Sequence, residues 1–443
     1  MKNKELFSKI NELIASYDPM VAEIISAESY RQRNTISLIP SENYVSAQVA
    51  LALASSFTNK YSEGYPHVWK EGVLIDKNGR YYQGQKNTNK IEKLAIQRAL
   101  ELFTDIPSDY HANVQATSGA PANLAVIGAF LKPGDTLMGL ALDFGGHLTH
   151  GHKVSVTSHY YNAVHYKLNE DGKLDYDEIE KLAEKYKPKL IISGATAYTG
   201  KIDFERFGKI AKKVGAILLA DISHIAGLCV TGEHPHPFPH ADVITSTTHK
   251  ILRGPRAGII VCKKEYGPQV DKALFPALQG GPHMNTIAAM AVAFKEALSD
   301  EYKAYTQQVV KNAKVLSEKL KEYNFKLISD GTENHLILLD VINNKNGISV
   351  KNASWFAERL EFAGIVTNKN TVPGDAKPWN PSGIRIGTPA VTTLGMKENE
   401  MVKIAELIRL TALHAEDDSK LTEVKADVEL LVSKFAQNSN FII

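Results

Sequence analysis

Apolar residues recur at helical spacing at the start of the chain, where Leu6, Ile10, Leu13 and Ile14 form one stripe within residues 1–17. Asp18 followed by Pro19 reads as an N-cap with proline in the first turn, opening a second helix that carries Met20, Val21, Ile24 and Ile25. Residues 36–90 lose this period and are rich in Ser, Asn, Gly and Tyr, a loop-rich stretch too long to be idle in a compact domain. From about residue 91, the short apolar runs TLMGLAL, KLIIS, AILLAD, DVITSTT and GIIVC alternate with amphipathic stretches such as Tyr176–Tyr186 and Phe204–Val214. Such runs predict buried strands of a largely parallel sheet with helices between them, an α/β layered domain whose ligands gather at the carboxyl ends of the strands. A helical stretch over 284–323 leads to a second region, where HLILLDV predicts a strand and SWFAERLEFAG a helix closed by glycine. After Glu416, Leu421, Val424, Val428, Leu431, Val432 and Phe435 line one face of a further helix, expected to pack on the chain's own surface. The pattern divides the chain into a helical arm with a loop-rich segment (1–90), a large α/β domain (91–290), a smaller α+β domain (291–415) and a helical tail (416–443).

Composition narrows the class without naming a chemistry. The 443 residues carry 51 basic and 49 acidic side chains, a formal net charge of +2 that argues against nucleic acid or an anionic membrane as the main partner. Charges interrupt every apolar run at the N-terminus, and no stretch approaches the roughly 20 apolar residues that span a bilayer. The two cysteines, Cys229 and Cys262, lie in apolar, strand-like contexts and read as buried thiols, which suits a reducing compartment. A cytoplasmic protein with no metal site is expected.

Four features converge on the predicted strand ends. Lys250 follows the run at 242–244 among hydroxyls and near Arg253 and Arg256, whose charge lowers the cost of a neutral amine, as a Schiff-base lysine requires. An isolated His-Lys pair would more simply be a surface loop. Asp221 closes the run AILLAD, where a carboxylate can pair with a protonated pyridine nitrogen, and His224 follows it. Ser118 and Gly119 precede a helix over 122–131, whose amides suit a phosphate, although Ser-Gly pairs often only cap helices. Gly145, Gly146 and His147 follow TLMGLAL and bring another imidazole to the same edge.

These residues lie within longer motifs: SLIPSENY (37–44), NKYSEGYP (59–66), GGHLTHG (145–151), ADISHIAGL (220–228), TTHKILRGPR (247–256), QGGP (279–282) and SGIRIGTPA (382–390). Together they resemble the serine hydroxymethyltransferase family over about residues 18–412, which implies a pyridoxal-phosphate enzyme of the aspartate-aminotransferase-like fold (fold type I) with tetrahydrofolate as co-substrate. The resemblance implies that Lys250 holds the cofactor, Asp221 pairs with its pyridine nitrogen, His147 stacks on the ring, and Thr196 and His224 contact its phenolic oxygen region. Ser118, Gly119 and, from a partner subunit, Gly281 would hold the phosphate. Arg385 would bind the amino-acid carboxylate bidentately, with Ser41 and His249 lining the pocket. Tyr61, Glu63 and Tyr82 would enter from the neighbouring subunit of a homodimer or dimer of dimers, Glu63 handling protons. Leu142, Gly146, Leu148 and Asn370 would flank the pterin.

The chain also departs from the family pattern. Ala120 stands where the family commonly has a second phosphate-binding serine, a loss of roughly 0.5–1.5 kcal/mol if that bond is made. Pro121 replaces a usual glutamine, Pro40 a usual alanine and Gln83 a usual glycine. The stretch from His67 to Arg80, HVWKEGVLIDKNGR, is far longer than the family's link; Val73, Leu74 and Ile75 predict a strand and DKNGR a turn, so a small hairpin is expected. That insertion leaves room for a rival reading, a related aldolase or hydroxymethyltransferase acting on another β-hydroxy or α-methyl amino acid, with or without folate.

Overall fold

A computed structural model describes residues 3–342, 350–375 and 381–436. The chain forms two compact units, Gln48–Gln307 and Met1–Ala47 with Gln308–Ile443. This grouping differs from boundaries at 90, 290 and 415, because the chain's first helices and its last ones belong to one unit.

The larger unit is built on a seven-stranded sheet in the order Tyr110–Asn113, Gly258–Lys263, Val243–Thr247, Ile217–Asp221, Leu190–Gly194, Thr136–Leu140, Asn162–Tyr166. Gly258–Lys263 is antiparallel to both neighbours, and the other pairings are parallel. All five apolar runs became strands. Tyr110–Asn113 and Asn162–Tyr166 escaped the pattern because YHAN and NAVHY are short and polar. Helices Tyr176–Tyr186 and Phe204–Val214 occupy their expected positions, each opened by an aspartate (Asp175, Asp203) whose side chain accepts from backbone N–H groups of the first turn.

Three local expectations need correction. The strand before Lys250 runs Val243–Thr247 rather than stopping at 244, because its polar side chains find partners beside the sheet: Thr245 Oγ1 donates to Asn123 Oδ1, on the helix Gly119–Phe130, at 2.6 Å and Thr247 Oγ1 to the Ser223 carbonyl at 3.3 Å. The helix after Ser118 starts at Gly119, three residues early. Cys229 is buried, as is Cys262, but on the helix Ala226–Thr231 rather than a strand, since the chain turns sharply at 222–225 after Asp221.

In the second unit, strands Lys326–Leu327, Leu336–Asp340, Gly383–Gly387 and Asn368–Asn370 form an antiparallel sheet in that order, and Ile36–Ser37 pairs with Ile365–Val366. Helix Ala353–Phe362 ends beside Gly364 at φ 81°. The tail helix Asp418–Ala436 buries Val424, Val428, Leu431 and Val432 in the same core as Ile337, Ile384 and Phe356, and Leu421 is buried too, so its apolar face is covered by its own chain. Asp18 caps Pro19–Asn34 by accepting from Val21 N at 3.1 Å, yet Met20 and Ile24 on that helix are 73% and 69% exposed. The Leu6 side chain lies outside the described part. Among the described residues no helix is long and apolar enough to cross a membrane.

The expected hairpin forms from Val68–Lys70 and Val73–Ile75, with Val68 opposite Ile75. Its turn is Glu71-Gly72, both at positive φ (51° and 79°), not DKNGR. DKNGR is the return path, tied down by an Asp76–Lys93 ion pair and by Asn89 Nδ2 donating to Asn78 Oδ1 at 2.9 Å.

Candidate active site

Parallel strands deliver the loops after their carboxyl ends to one edge of the sheet, and five loops meet there in the larger unit. Asp221 ends its strand with four donors on its carboxylate: Asn123 Nδ2 at 2.8 Å and His150 Nε2 at 3.1 Å on Oδ2, Ser223 Oγ at 2.6 Å and Ser223 N at 3.1 Å on Oδ1. Burial alone would raise its pKa, but the hydrogen bond and charge of His150, then His147 and Ser223, hold the carboxyl well below the usual carboxylate range. His147 is close by: one ring nitrogen each of His147 and His150 and a carboxylate oxygen of Asp221 lie within 4.8 Å of one another. Burial lowers His147 to about 4 against the pull of Asp221, with help from the charges of His150 and Lys250. Burial, then Arg256 and Lys250, lowers His249 to about 3. The charge of Lys250 thus reaches both His147 and His249. Its loop is braced behind: Tyr302 Oη donates to the Ile251 carbonyl at 2.9 Å, and Gly254 N to the Thr248 carbonyl at 2.8 Å.

The candidate phosphate loop abuts the same strand end. A Cβ on Gly119 would stand 2.7 Å from Thr247 Cγ2, so the helix Gly119–Phe130 begins hard against the residue three before Lys250. Ser118 occupies the N-cap position but its side chain makes no capping bond, so the simple capping role is not the one it plays. In the GGH loop, a Cβ on Gly146 would run into the Leu140 carbonyl, which restricts that site to glycine. Thr196 fastens this loop by donating from Oγ1 to the Gly145 and Gly146 carbonyls, each at 3.1 Å. Leu142 sits in the turn Leu142–Phe144, Leu148 is 45% exposed, and His224 is buried.

A second cluster of the same unit gathers Tyr61, Glu63, Tyr82 and Gly281. Tyr82 Oη donates to Glu63 Oε2 at 3.1 Å and Tyr61 Oη to Oε1 at 3.4 Å, while the two tyrosine rings meet edge-on at 5.2 Å. A Cβ on Gly281 would touch the Tyr61 ring at 3.4 Å. Tyr61 and Gly281 also line a cleft of about 430 Å³ with Phe57, Lys60 and Met284. In the other unit, Arg385 projects from Gly383–Gly387 with Nε donating to Asn368 Oδ1 at 3.2 Å, and burial pushes it down to about 10, still a cation. Asn370 donates to the Thr371 carbonyl at 2.8 Å, and Ser41 is half-buried after Pro40, which packs beside Gly387.

The serine hydroxymethyltransferase pattern matches residues 14–408 of this chain. The chain belongs to that family. A serine hydroxymethyltransferase of Desulfotalea psychrophila is 51% identical over 419 residues, 94% of each chain. Those of Paracidovorax citrulli and an Acidovorax species are each 50% identical over 426 residues, 96% of this chain and 98% of theirs. As a member, the protein is a pyridoxal-phosphate-dependent transferase of fold type I, with tetrahydrofolate as co-substrate. Identity of this extent does not favour the rival aldolase reading.

The strand-edge residues fit the cofactor of a serine hydroxymethyltransferase. Asp221 is an anion of the kind a pyridinium N–H would need, Ser118 and the amides after it are donors of the kind a phosphate would need, and His249 keeps a buried Nδ1 without a partner. Sequence reasoning missed the residues that hold Asp221 in place, Asn123, His150 and Ser223. The spacing His147-x-x-His150 after a strand was the available signal for one of them.

Proposed function

We propose that this protein interconverts serine and glycine, moving the one-carbon unit to and from tetrahydrofolate, in a cytoplasmic homodimer or dimer of dimers whose active sites are shared between subunits. The observation that carries the reading is the convergence of Lys250, Asp221, His147 and the Gly119 helix start on one sheet edge, with Glu63 held in a separate cluster. Bound pyridoxal phosphate supplies an electron sink for the pair left at the amino acid's Cα. Lys250 would anchor it, Asp221 would favour a protonated ring nitrogen, and His147, Thr196 and His224 would contact the ring and its oxygen. Ser118, Gly119 and the partner's Gly281 would hold its phosphate. Arg385 grips the amino-acid carboxylate, and Ser41, His249 and Tyr82 shape the space around it. Glu63, backed by Tyr61, passes protons between the substrate hydroxymethyl group and folate, whose pterin lies among Leu142, Gly146, Leu148 and Asn370.

A shared site is supported by the exposed apolar residues of the N-terminal helices and the turn between them, Leu13, Tyr17, Met20, Ile24 and Tyr30, side chains of the kind that a partner covers. The two free thiols suit a reducing cytoplasm. Mixing inactive Lys250→Ala with inactive Tyr61→Ala protein is expected to restore partial serine turnover through hybrid dimers. Absence of recovery with subunit exchange verified would refute sharing, and equal serine cleavage with and without tetrahydrofolate would refute the transfer reaction.

A further inference from the structure

Two buried carboxylates take no part in the site as described, and both bear on the backbone around Glu63. Asp271, on the helix Gly267–Leu274, is 2% exposed. Four side-chain donors converge on it: His67 Nε2 at 2.9 Å and Trp69 Nε1 at 2.8 Å on Oδ2, His111 Nε2 and Asn113 Nδ2, each at 2.8 Å, on Oδ1. An ionised carboxylate only accepts, so both imidazoles present a proton on Nε2 to Asp271. Burial would raise its pKa, but the charge and hydrogen bond of His111, then those of His67, keep it well below the usual range. Two of the four donors, His67 and Trp69, belong to the insertion 67–80. Tyr65, just before it, donates from Oη to the Asp271 carbonyl at 2.7 Å and stacks on His67 with ring centres 5.4 Å apart.

The far end of the insertion holds the same segment from the other side. Arg80, 7% exposed, donates from Nη1 to the Ser62 carbonyl at 2.7 Å and the Gly64 carbonyl at 2.5 Å. Its Nη2 pairs with buried Glu92, which also accepts from Gln115 Nε2 at 2.7 Å. Tyr81 N donates to the Glu63 carbonyl at 3.2 Å. The carbonyls of Ser62, Glu63 and Gly64 are thus all fixed by Arg80 and Tyr81.

We propose that the insertion 67–80 is a clamp on residues 62–65, locked at Asp271 through His67 and Trp69 and gripping through Arg80, and that it positions the Glu63 carboxylate for the hydroxymethyl-transfer step. The proposal rests on the proton-handling role given to Glu63 above. Asp271 and Arg80 are positioning residues in it. His67, His111 and Asp271 bring ligand atoms within 4.8 Å of one another, a spacing a metal could use. Trp69 and Asn113 point N–H groups at that carboxylate, however, and donors there oppose a cation, so the lock is a hydrogen-bond network.

The test uses the holoenzyme. Asp271→Asn turns an N–H group toward existing donors and loosens the lock. Its kcat for serine with tetrahydrofolate is expected to fall about 10–100-fold, the scale of a small misplacement of a reacting group. The serine KM and the absorbance of the bound cofactor should stay within about twofold, and amide exchange should quicken in residues 61–66. Because Asp271 acts through Glu63, adding Asp271→Asn to Glu63→Gln should slow the enzyme no further. Trp69→Phe, which removes one donor and keeps the ring, should show the same pattern at a few-fold scale, and it decides the matter if Asp271→Asn does not fold. Full additivity with Glu63→Gln, unchanged exchange at 61–66, or a stoichiometric metal lost on Asp271→Asn would each overturn the clamp. If Glu63→Gln alone leaves turnover intact, the role of Glu63 fails instead, and the exchange measurement still decides whether the clamp exists.

Discussion

The two clusters of the larger unit are built in opposite ways. Around Asp221 and Lys250, side chains come from strand ends and a helix start and pair with one another, as with Thr245 on Asn123 and Asn123 on Asp221. Around Glu63 the chain is irregular, Tyr61 and Tyr82 are 58% and 40% exposed, and order comes from side chains reaching in from elsewhere. On the proposed function, the first region would gain from rigidity, since an electron sink needs its ring nitrogen and phosphate fixed. The second would admit and release two substrates, and loops on a rigid scaffold suit that need. Stability and reactivity are therefore separable here, and substitutions in the two regions should fail differently.

The largest effect belongs to the rigid region. Lys250→Ala removes the only side chain proposed to hold the cofactor covalently, so turnover should drop to background and borohydride should no longer fix cofactor to the protein. Peptide mapping of reduced wild-type protein should place the label at Lys250, and a label elsewhere sinks the assignment. In the loop region, Glu63→Gln keeps size and hydrogen bonding but cannot exchange a proton. Folate-dependent serine turnover is expected to fall about 10²–10⁴-fold, while spectral titration with serine and glycine stays near that of the wild type. If serine binding weakens as much as turnover falls, Glu63 binds rather than transfers protons, and the division between the regions blurs.

The rigid region was also the legible one. Asp221 and Lys250 could be placed from sequence because short apolar runs end where chemistry begins, and the parallel order carries those ends to one edge. The polar strands Tyr110–Asn113 and Asn162–Tyr166 were not legible, since a strand among others is held by ladder bonds that composition does not advertise. In the loop region the motif NKYSEGYP marked Glu63, but nothing local marked Asp271 or Glu92 as its supports. Contacts such as Trp69 to Asp271 span about 200 residues, and pairing at that range leaves no periodic trace. The hairpin was visible in Val73, Leu74 and Ile75, while its turn was misplaced because DKNGR looks more turn-like than the left-handed Glu71-Gly72 pair.

The smallest predicted effect concerns acid stability and separates the regions without any assay of turnover. His147 and His249 ordinarily titrate near 6.5 but are lowered in the folded chain to about 4 and about 3, chiefly by burial. Between pH 6.5 and 4 the unfolded chain therefore binds protons that the folded chain refuses, so the stability from keeping these rings neutral is complete above 6.5 and lost as pH falls toward 4. Each ring contributes a slope approaching about 1.4 kcal/mol per pH unit in that window, and together they cost the apoprotein about 2–4 kcal/mol between pH 7 and pH 5. Asp221 and Asp271, lowered from an ordinary 3.8, add their losses only below about pH 4, outside this window. Urea denaturation of apoprotein at pH 7, 6 and 5 gives the measurement. His147→Phe and His249→Phe should each flatten the slope, with His165 and His236, also lowered by burial, carrying part of the remainder, whereas Tyr82→Phe in the loop region should leave it unchanged. An identical slope in all four proteins would mean that the strand-end imidazoles are not held neutral, and the view of that region as a dry, preset pocket would fall with it.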